Sequence, residues 1–192
     1  MFWRACDVPV MSRSLCLAGM MGAGKTTVAR LLADRLGRRA VDTDDELRSW
    51  TGRSIPELFD EHGEAGFREL ERQVVEELAR FPDLVISLGG GVVLRDDNVA
   101  SLVLTGVIVH LDAPPDVLAE RLTGDTDRPL LDGDLTAKVR ATHAARQQRY
   151  LDVCDLTVDA AREPERIVED ILAWAMSCGD VLTPSEHEQV MT

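Results

Sequence analysis

Short apolar runs along the chain alternate with stretches in which apolar residues return every three or four positions. Leu15-Cys16-Leu17-Ala18 reads as a buried strand. Val28, Leu31, Leu32 and Leu36 then share one helical face, and Gly37 is a stop signal. Arg39-Ala40-Val41 is a second short strand. Ser54 and Glu57 have the spacing of a capping box. They predict a short helix to about Glu61 that His62-Gly63 breaks. From Glu64 a longer helix carries Phe67, Leu70, Val74 and Leu78 on one face and ends at Phe81-Pro82-Asp83. Leu84-Val85-Ile86-Ser87-Leu88 reads as a central strand running into Gly89-Gly90-Gly91, and Val107 to Leu111 as another. Helices follow over Asp116 to Leu122 and Leu135 to Tyr150, then a last strand at Leu156-Thr157-Val158. Pro164 opens a final helix with Ile167, Ile171, Leu172 and Trp174 partly periodic. From Cys178 the pattern is polar and irregular, which predicts a loose tail. Strands that alternate with helices define an α/β fold of three layers, a mostly parallel five-stranded sheet between helices.

Length and charge narrow the classes. The 192 residues suit one domain, with residues 1–13 an N-terminal extension, 14–177 the domain, 178–192 the tail and Met11 an alternative start. Thirty-four acidic against 21 basic residues leave a net charge of −13, which argues against nucleic acid or an anionic membrane as partner. No apolar run approaches the roughly 18 residues that span a bilayer, and the first 13 residues lack the apolar centre of a signal peptide. Cys6, Cys16, Cys154 and Cys178 form neither a zinc pattern nor a disulfide framework. A cytoplasmic protein is expected.

Gly19-Met20-Met21-Gly22-Ala23-Gly24-Lys25-Thr26-Thr27 matches the phosphate-loop pattern G-x-x-x-x-G-K-[ST] between a strand and a helix. Such a loop gathers backbone N–H groups on a polyphosphate, and the helix N-terminus adds partial positive charge. Lys25 then reaches the β/γ-phosphates, and the Thr26 hydroxyl is a Mg²⁺ ligand. Asp42 and Asp44 end the second strand, where open α/β sheets bind ligands; Asp45 suits a helix cap. Arg68 and Glu71 are three apart on a helix, which on spacing alone favours a solvated ion pair. The triple glycine permits either close approach of a ligand or a plain turn. His110, alone in a strand, reads as structural. Residues 124–134 read as a lid-type loop whose Arg128 can close over a phosphate. Lys138, Arg140, Arg146 and Arg149 crowd the next helix of this acidic chain.

Taken in order, Asp42-Thr43-Asp44, Gly52-Arg53-Ser54-Ile55, Gly63-Glu64-Ala65-Gly66-Phe67-Arg68-Glu69-Leu70-Glu71, Gly89-Gly90-Gly91, Arg128-Pro129-Leu130-Leu131 and Arg146 four before Tyr150 closely resemble the shikimate kinase family. The likeness runs from about Leu15 to Met176. It implies a P-loop kinase fold related to nucleoside-monophosphate kinases, with a mobile lid over about residues 123–134. It also implies ATP-dependent phosphorylation of the shikimate 3-hydroxyl, on the route to chorismate and aromatic amino acids. Separately, a monomer is expected. By the same resemblance, Gly22, Ala23, Gly24, Lys25, Thr26 and Thr27 hold the ATP phosphates. Asp44 meets the reacting hydroxyl, Arg68 and Arg146 bind the shikimate carboxylate, and Gly89, Gly90 and Gly91 line the ring. Arg128 closes over the transferring phosphate, Asp42 holds Mg²⁺ through water alongside Thr26, and Glu71 orients Arg68. Arg121, Arg162 and Pro164 are the adenine-side contacts. Gln148-Arg149 stands where the family usually has Pro-Leu, and Arg48 replaces a common acidic residue. A related small-molecule kinase, acting on gluconate or on a shikimate-like analogue, and a non-catalytic nucleotide-binding module are the competing readings.

Overall fold

The computed structural model describes residues 12–123 and 135–191. Five strands form one sheet in the order β2-β3-β1-β4-β5, every neighbouring pair parallel. They are β1 (Ser14–Ala18), β2 (Arg39–Asp42), β3 (Leu84–Ser87), β4 (Gly106–Asp112) and β5 (Leu156–Asp159). The inner strands β1, β3 and β4 are buried almost throughout, as expected of parallel strands covered on both faces. Around them pack α1 (Lys25–Leu36), α2 (Thr43–Thr51), α3 (Ile55–Leu78), α4 (Asp96–Thr105), α5 (Pro115–Leu122), α6 (Leu135–Val153), α7 (Pro164–Ser177) and α8 (Pro184–Met191). Successive connections leave β1 toward β2 on one side and reach β4 on the other. The carboxyl end of β1 is therefore a topological switch point, the place where such sheets bind ligands.

Local chemistry sets the elements around that point. Gly24 precedes α1 in the left-handed conformation at φ 87°, and Gly37 ends the helix at φ 66°. Asp42 caps α2 by accepting the Asp44 N–H at 3.0 Å. This corrects the assignment of the cap to Asp45, which instead pairs with Arg48 at 2.8 Å on the exposed face. The Ser54–Glu57 capping box forms as expected, with the Ser54 N–H donating to Glu57 at 2.7 Å. The break expected at His62-Gly63 is a kink inside one long α3: Gly63 alone leaves helical geometry, at φ 65° and ψ 179°.

The tail differs most from expectation. Val181 and Leu182 are buried, and α8 packs beside α1. Arg38 holds it there, donating to both Glu186 oxygens at 2.6 and 2.9 Å and to the Val181 carbonyl at 2.8 Å. Its side chain is only 2% exposed. The buried Arg38–Glu186 pair joins the buried Val181 and Leu182 in holding a segment whose apolar content is too low to reveal itself as periodicity.

Candidate active site

Lys25, the first residue of α1, folds back so that its ammonium donates to the carbonyls of Gly19 and Met20, each at 2.9 Å. Gly19 carries φ 145°, and a Cβ there would lie 2.6 Å from the Leu111 carbonyl oxygen; the loop can lie this close to β4 only as glycine. Beside it Thr26 Oγ1 donates to Asp42 Oδ2 at 2.8 Å and sits 3.3 Å from Ser87 Oγ. These three side chains come from α1, β2 and β3, and together they border a small cavity of about 90 Å³. Its lining offers carboxylate and hydroxyl oxygens, the donor set of a hard cation that keeps several waters.

The second half of the site assembles around the triple glycine. A Cβ at Gly89 would lie 2.8 Å from Asp44 Oδ1 and 3.2 Å from Glu71 Oε1. A side chain at Gly91 would collide with the Arg68 guanidinium. Arg146 Nη1 donates to the Gly90 carbonyl at 3.2 Å. The four side chains thus come from α2, α3 and α6 onto one stretch of bare backbone. The glycines let the protein's own side chains approach the backbone, because a Cβ at Gly89 or Gly91 would displace a charged group.

Glu71 is 1% exposed and accepts from Arg68 Nη1 on both carboxylate oxygens, at 3.1 and 2.9 Å. Burial pushes its carboxyl above the usual range, the Arg68 charge opposes this, and the nearby Asp44 charge adds to it. Spacing alone favoured a solvated pair; the helix face in fact turns inward, and Arg68 lies over the Phe67 ring, 5.3 Å from its centroid. Phe67 stacks on Phe59 at 4.1 Å. A cleft of about 370 Å³ opens between the loop residues Met20 and Met21 and α6, with Arg146 in its wall.

The remaining expected contacts are divided. Arg121 Nη1 donates to the Ala160 carbonyl at 2.8 Å and to the Gly22 carbonyl at 3.4 Å, tying the β5–α7 connection to the phosphate loop. Arg162 pairs instead with Asp170 and lies 3.7 Å from Asp159, while Pro164 opens α7. Gly22, Ala23, Gly24 and Thr27 lie in the loop and first turn of α1 as expected. Arg128 and the lid residues lie outside the described residues. Thr43 and Tyr150, quoted within the family motifs but given no role there, both bond to the glycine stretch. The Thr43 hydroxyl accepts the Gly89 N–H at 2.8 Å, and the Tyr150 hydroxyl donates to the Gly90 carbonyl at 2.7 Å. The position of Thr43 between two chosen aspartates was the available signal.

A glycine loop feeding a helix at the switch point of a 2-3-1-4-5 parallel sheet, with a cluster of charged side chains beside it, defines a P-loop small-molecule kinase. The shikimate kinase family profile matches residues 21–176. The shikimate kinase of Synechococcus elongatus is 44% identical over 160 residues, 82% of this chain and 84% of that protein. That of Psychrobacter arcticus is 38% identical over 179 residues, 92% and 96% of the two chains. Among solved structures, the shikimate kinase of Acinetobacter baumannii in complex with shikimate superimposes with a TM-score of 0.83 at 35% identity, covering 88% of this chain and 95% of that one. The chain belongs to the shikimate kinase family.

Proposed function

We propose that this chain transfers the γ-phosphoryl group of ATP to the 3-hydroxyl of shikimate, giving shikimate 3-phosphate and ADP. The observation that carries it is the convergence of Asp44, Glu71, Arg68 and Arg146 on Gly89–Gly91, beside a phosphate loop in the same crevice. Two guanidinium groups suit a carboxylate, which they bind with planar, charge-assisted hydrogen bonds that lysine cannot copy. Glu71 occupies one nitrogen of Arg68 and fixes its plane, leaving the rest of the group for the substrate. Bare glycine backbone allows a hydroxylated ring to lie flat against it.

Phosphoryl transfer asks the protein for position and charge neutralisation rather than covalent chemistry. Lys25 supplies positive charge at the loop. It leaves its two carbonyl partners when polyphosphate oxygens offer stronger acceptors. The loop N–H groups over Gly22–Thr27 and the start of α1 hold the remaining phosphates. Asp44 orients the acceptor hydroxyl and accepts its proton as the oxygen–phosphorus bond forms. Arg128 covers the transferring group, and Arg121, Arg162 and Pro164 border the adenine end.

Thr26 and Asp42 suit Mg²⁺: their hydroxyl and carboxylate oxygens border a small cavity and would hold the ion there, Asp42 through water. When bound, the ion would supply positive charge against the polyphosphate. A cytosolic monomer is the form proposed to carry out the reaction.

The test is a coupled ADP-release assay with Mg·ATP, comparing shikimate, quinate, gluconate and no acceptor. Release that depends on shikimate is expected. Release dependent on gluconate alone assigns a different acid as acceptor. Nucleotide binding without release to any acceptor removes the catalytic reading.

A further inference from the structure

We propose that Thr43 and Tyr150 are positioning residues for the acceptor, acting through the backbone of Gly89–Gly91 without touching the substrate. This inference rests on the reading of that stretch as the wall of the acceptor site. A run of three glycines is the most freely hinged backbone a chain can have, so a wall made from it must be held from outside.

It is held at both polar faces. At the first residue, Gly89 donates its N–H to Thr43 Oγ1 at 2.8 Å. Thr43 is wholly buried in the first turn of α2. A threonine there ordinarily turns its hydroxyl to its own helix end; this one reaches across to β3's continuation. The bond fixes the spacing between Asp44, the next residue of α2, and the glycine backbone opposite.

At the second residue, the Gly90 carbonyl accepts from Tyr150 Oη at 2.7 Å and from Arg146 Nη1 at 3.2 Å. One carbonyl oxygen has two acceptor sites, and the tyrosine takes the shorter bond. Gly90 is therefore anchored without drawing the Arg146 guanidinium fully onto it. The tyrosine ring is itself set by β4: it is 2% exposed and stacks on His110 with centroids 4.8 Å apart and planes 12° apart. Burial raises the phenol above its usual value, so it stays a donor across the physiological range.

One residue before Tyr150, Arg149 donates to the Val93 carbonyl at 2.7 Å and to Asp96 at 2.6 Å. Arg149 is one of the residues that depart from the family pattern, and here it extends the same helix-to-carbonyl clamp beyond the glycines. Three side chains of α6 thus grip the segment after β3.

Three variants separate positioning from bulk stability. Tyr150→Phe keeps the ring and its stack but deletes the hydroxyl. Thr43→Val deletes the other anchor, and Thr43→Ser restores it. Loss of one buried hydrogen bond corresponds to about a three- to tenfold change. KM for shikimate is expected to rise by that factor in Tyr150→Phe and Thr43→Val, with KM for ATP within about twofold and Thr43→Ser near the parent. Amide exchange at Gly89–Val92, measured without substrate, is expected to quicken in the first two variants and not in Thr43→Ser. Unchanged exchange in Tyr150→Phe, an equal rise in both KM values, or failure of serine to rescue overturns the proposal. If Thr43→Val does not fold, Tyr150→Phe decides by itself. Absence of shikimate turnover in the parent protein instead sinks the assigned function, and the exchange measurement still judges the clamp.

Discussion

Glu71 binds one nitrogen of Arg68 with both carboxylate oxygens, and does so almost wholly out of water. The carboxylate is costly to ionise there, and burial raises its pKa even against the arginine. A carboxyl raised in the folded state binds more protons folded than unfolded just above about pH 4.3, the ordinary glutamate value. Its contribution to stability is thus fully present below that pH and is lost as pH rises through the folded value. The acid limb of kcat/KM for shikimate should lie above the ordinary carboxylate range, because protonated Glu71 no longer fixes Arg68 by charge. Glu71→Gln should abolish that limb, and a pH–rate profile of the variant checks it.

Arg68→Ala should raise KM for shikimate by about 10- to 150-fold, the factor for a hydrogen bond between charged groups, with ATP affinity within about twofold. Arg68→Lys should recover little, since an ammonium cannot make the planar fork. Isothermal titration with each substrate separates the two effects. Equal loss for both substrates would remove Arg68 from the acceptor site.

How far these residues were legible depended on how local their signal is. The phosphate loop, the Ser54–Glu57 box and the strands β1, β3 and β4 each declare themselves within a few residues. The residues proposed for the acceptor site were legible through the ordered likeness to one family rather than through spacing. Arg68 and Glu71, three apart, resemble a surface pair until α3 is laid against Gly91. Thr43, Tyr150 and the Arg38–Glu186 pair escaped for a different reason. Their partners lie 46, 60 and 148 positions away along the chain, and nothing periodic marks a hydrogen bond over that separation. Asp45 was chosen as a cap because composition admits any of the neighbouring aspartates; only the extended backbone of Asp42, at φ −112° and ψ 126°, decides between them.

His110 should make the fold acid-sensitive. It is 2% exposed, its Nδ1 has no hydrogen-bond partner, and burial lowers its pKa, with Asp112 opposing and His143 and Lys25 reinforcing the shift. A histidine depressed in the folded state releases stability as pH falls from about 6.5 through the folded value, since the unfolded chain takes up the proton first. The melting temperature should therefore drop between pH 7.5 and 5.5, and less so in His110→Phe, which keeps an aromatic partner for Tyr150. Scanning calorimetry at the two pH values reads the difference.

The C-terminal helix should be integral to stability and remote from chemistry. Glu186→Ala leaves the Arg38 guanidinium buried without its carboxylate, a loss of about 3–5 kcal/mol for a broken buried pair. In a chain of this size that corresponds to a fall in melting temperature of roughly 6–20 °C. Burial opposes ionisation of Glu186, but the hydrogen bonds from Arg38 and Thr183 outweigh it and hold the carboxyl below its usual value. Its stabilisation is therefore present above the ordinary glutamate range and is lost as pH falls through the folded value. KM for both substrates should stay within about twofold of the parent at 25 °C, as α8 contributes nothing to the assigned site.

Asp42 has two jobs on its two oxygens, and they can be separated. Oδ1 accepts the Asp44 N–H and caps α2, while Oδ2 accepts from the Thr26 hydroxyl at the proposed Mg²⁺ position. Asp42→Asn keeps a carbonyl oxygen for the cap, a role asparagine fills as well as aspartate, but removes the negative charge a hard cation requires. Stability should change by less than about 0.5 kcal/mol, while the Mg²⁺ concentration for half-maximal turnover rises at least about tenfold, the factor that 1.4 kcal/mol represents. Asp42→Ala loses both functions and should destabilise by about 1 kcal/mol as well. Thermal melts and a Mg²⁺ titration of the two variants distinguish a cap from a metal ligand. If asparagine leaves the Mg²⁺ requirement unchanged, Asp42 is a helix cap and the cation is held elsewhere.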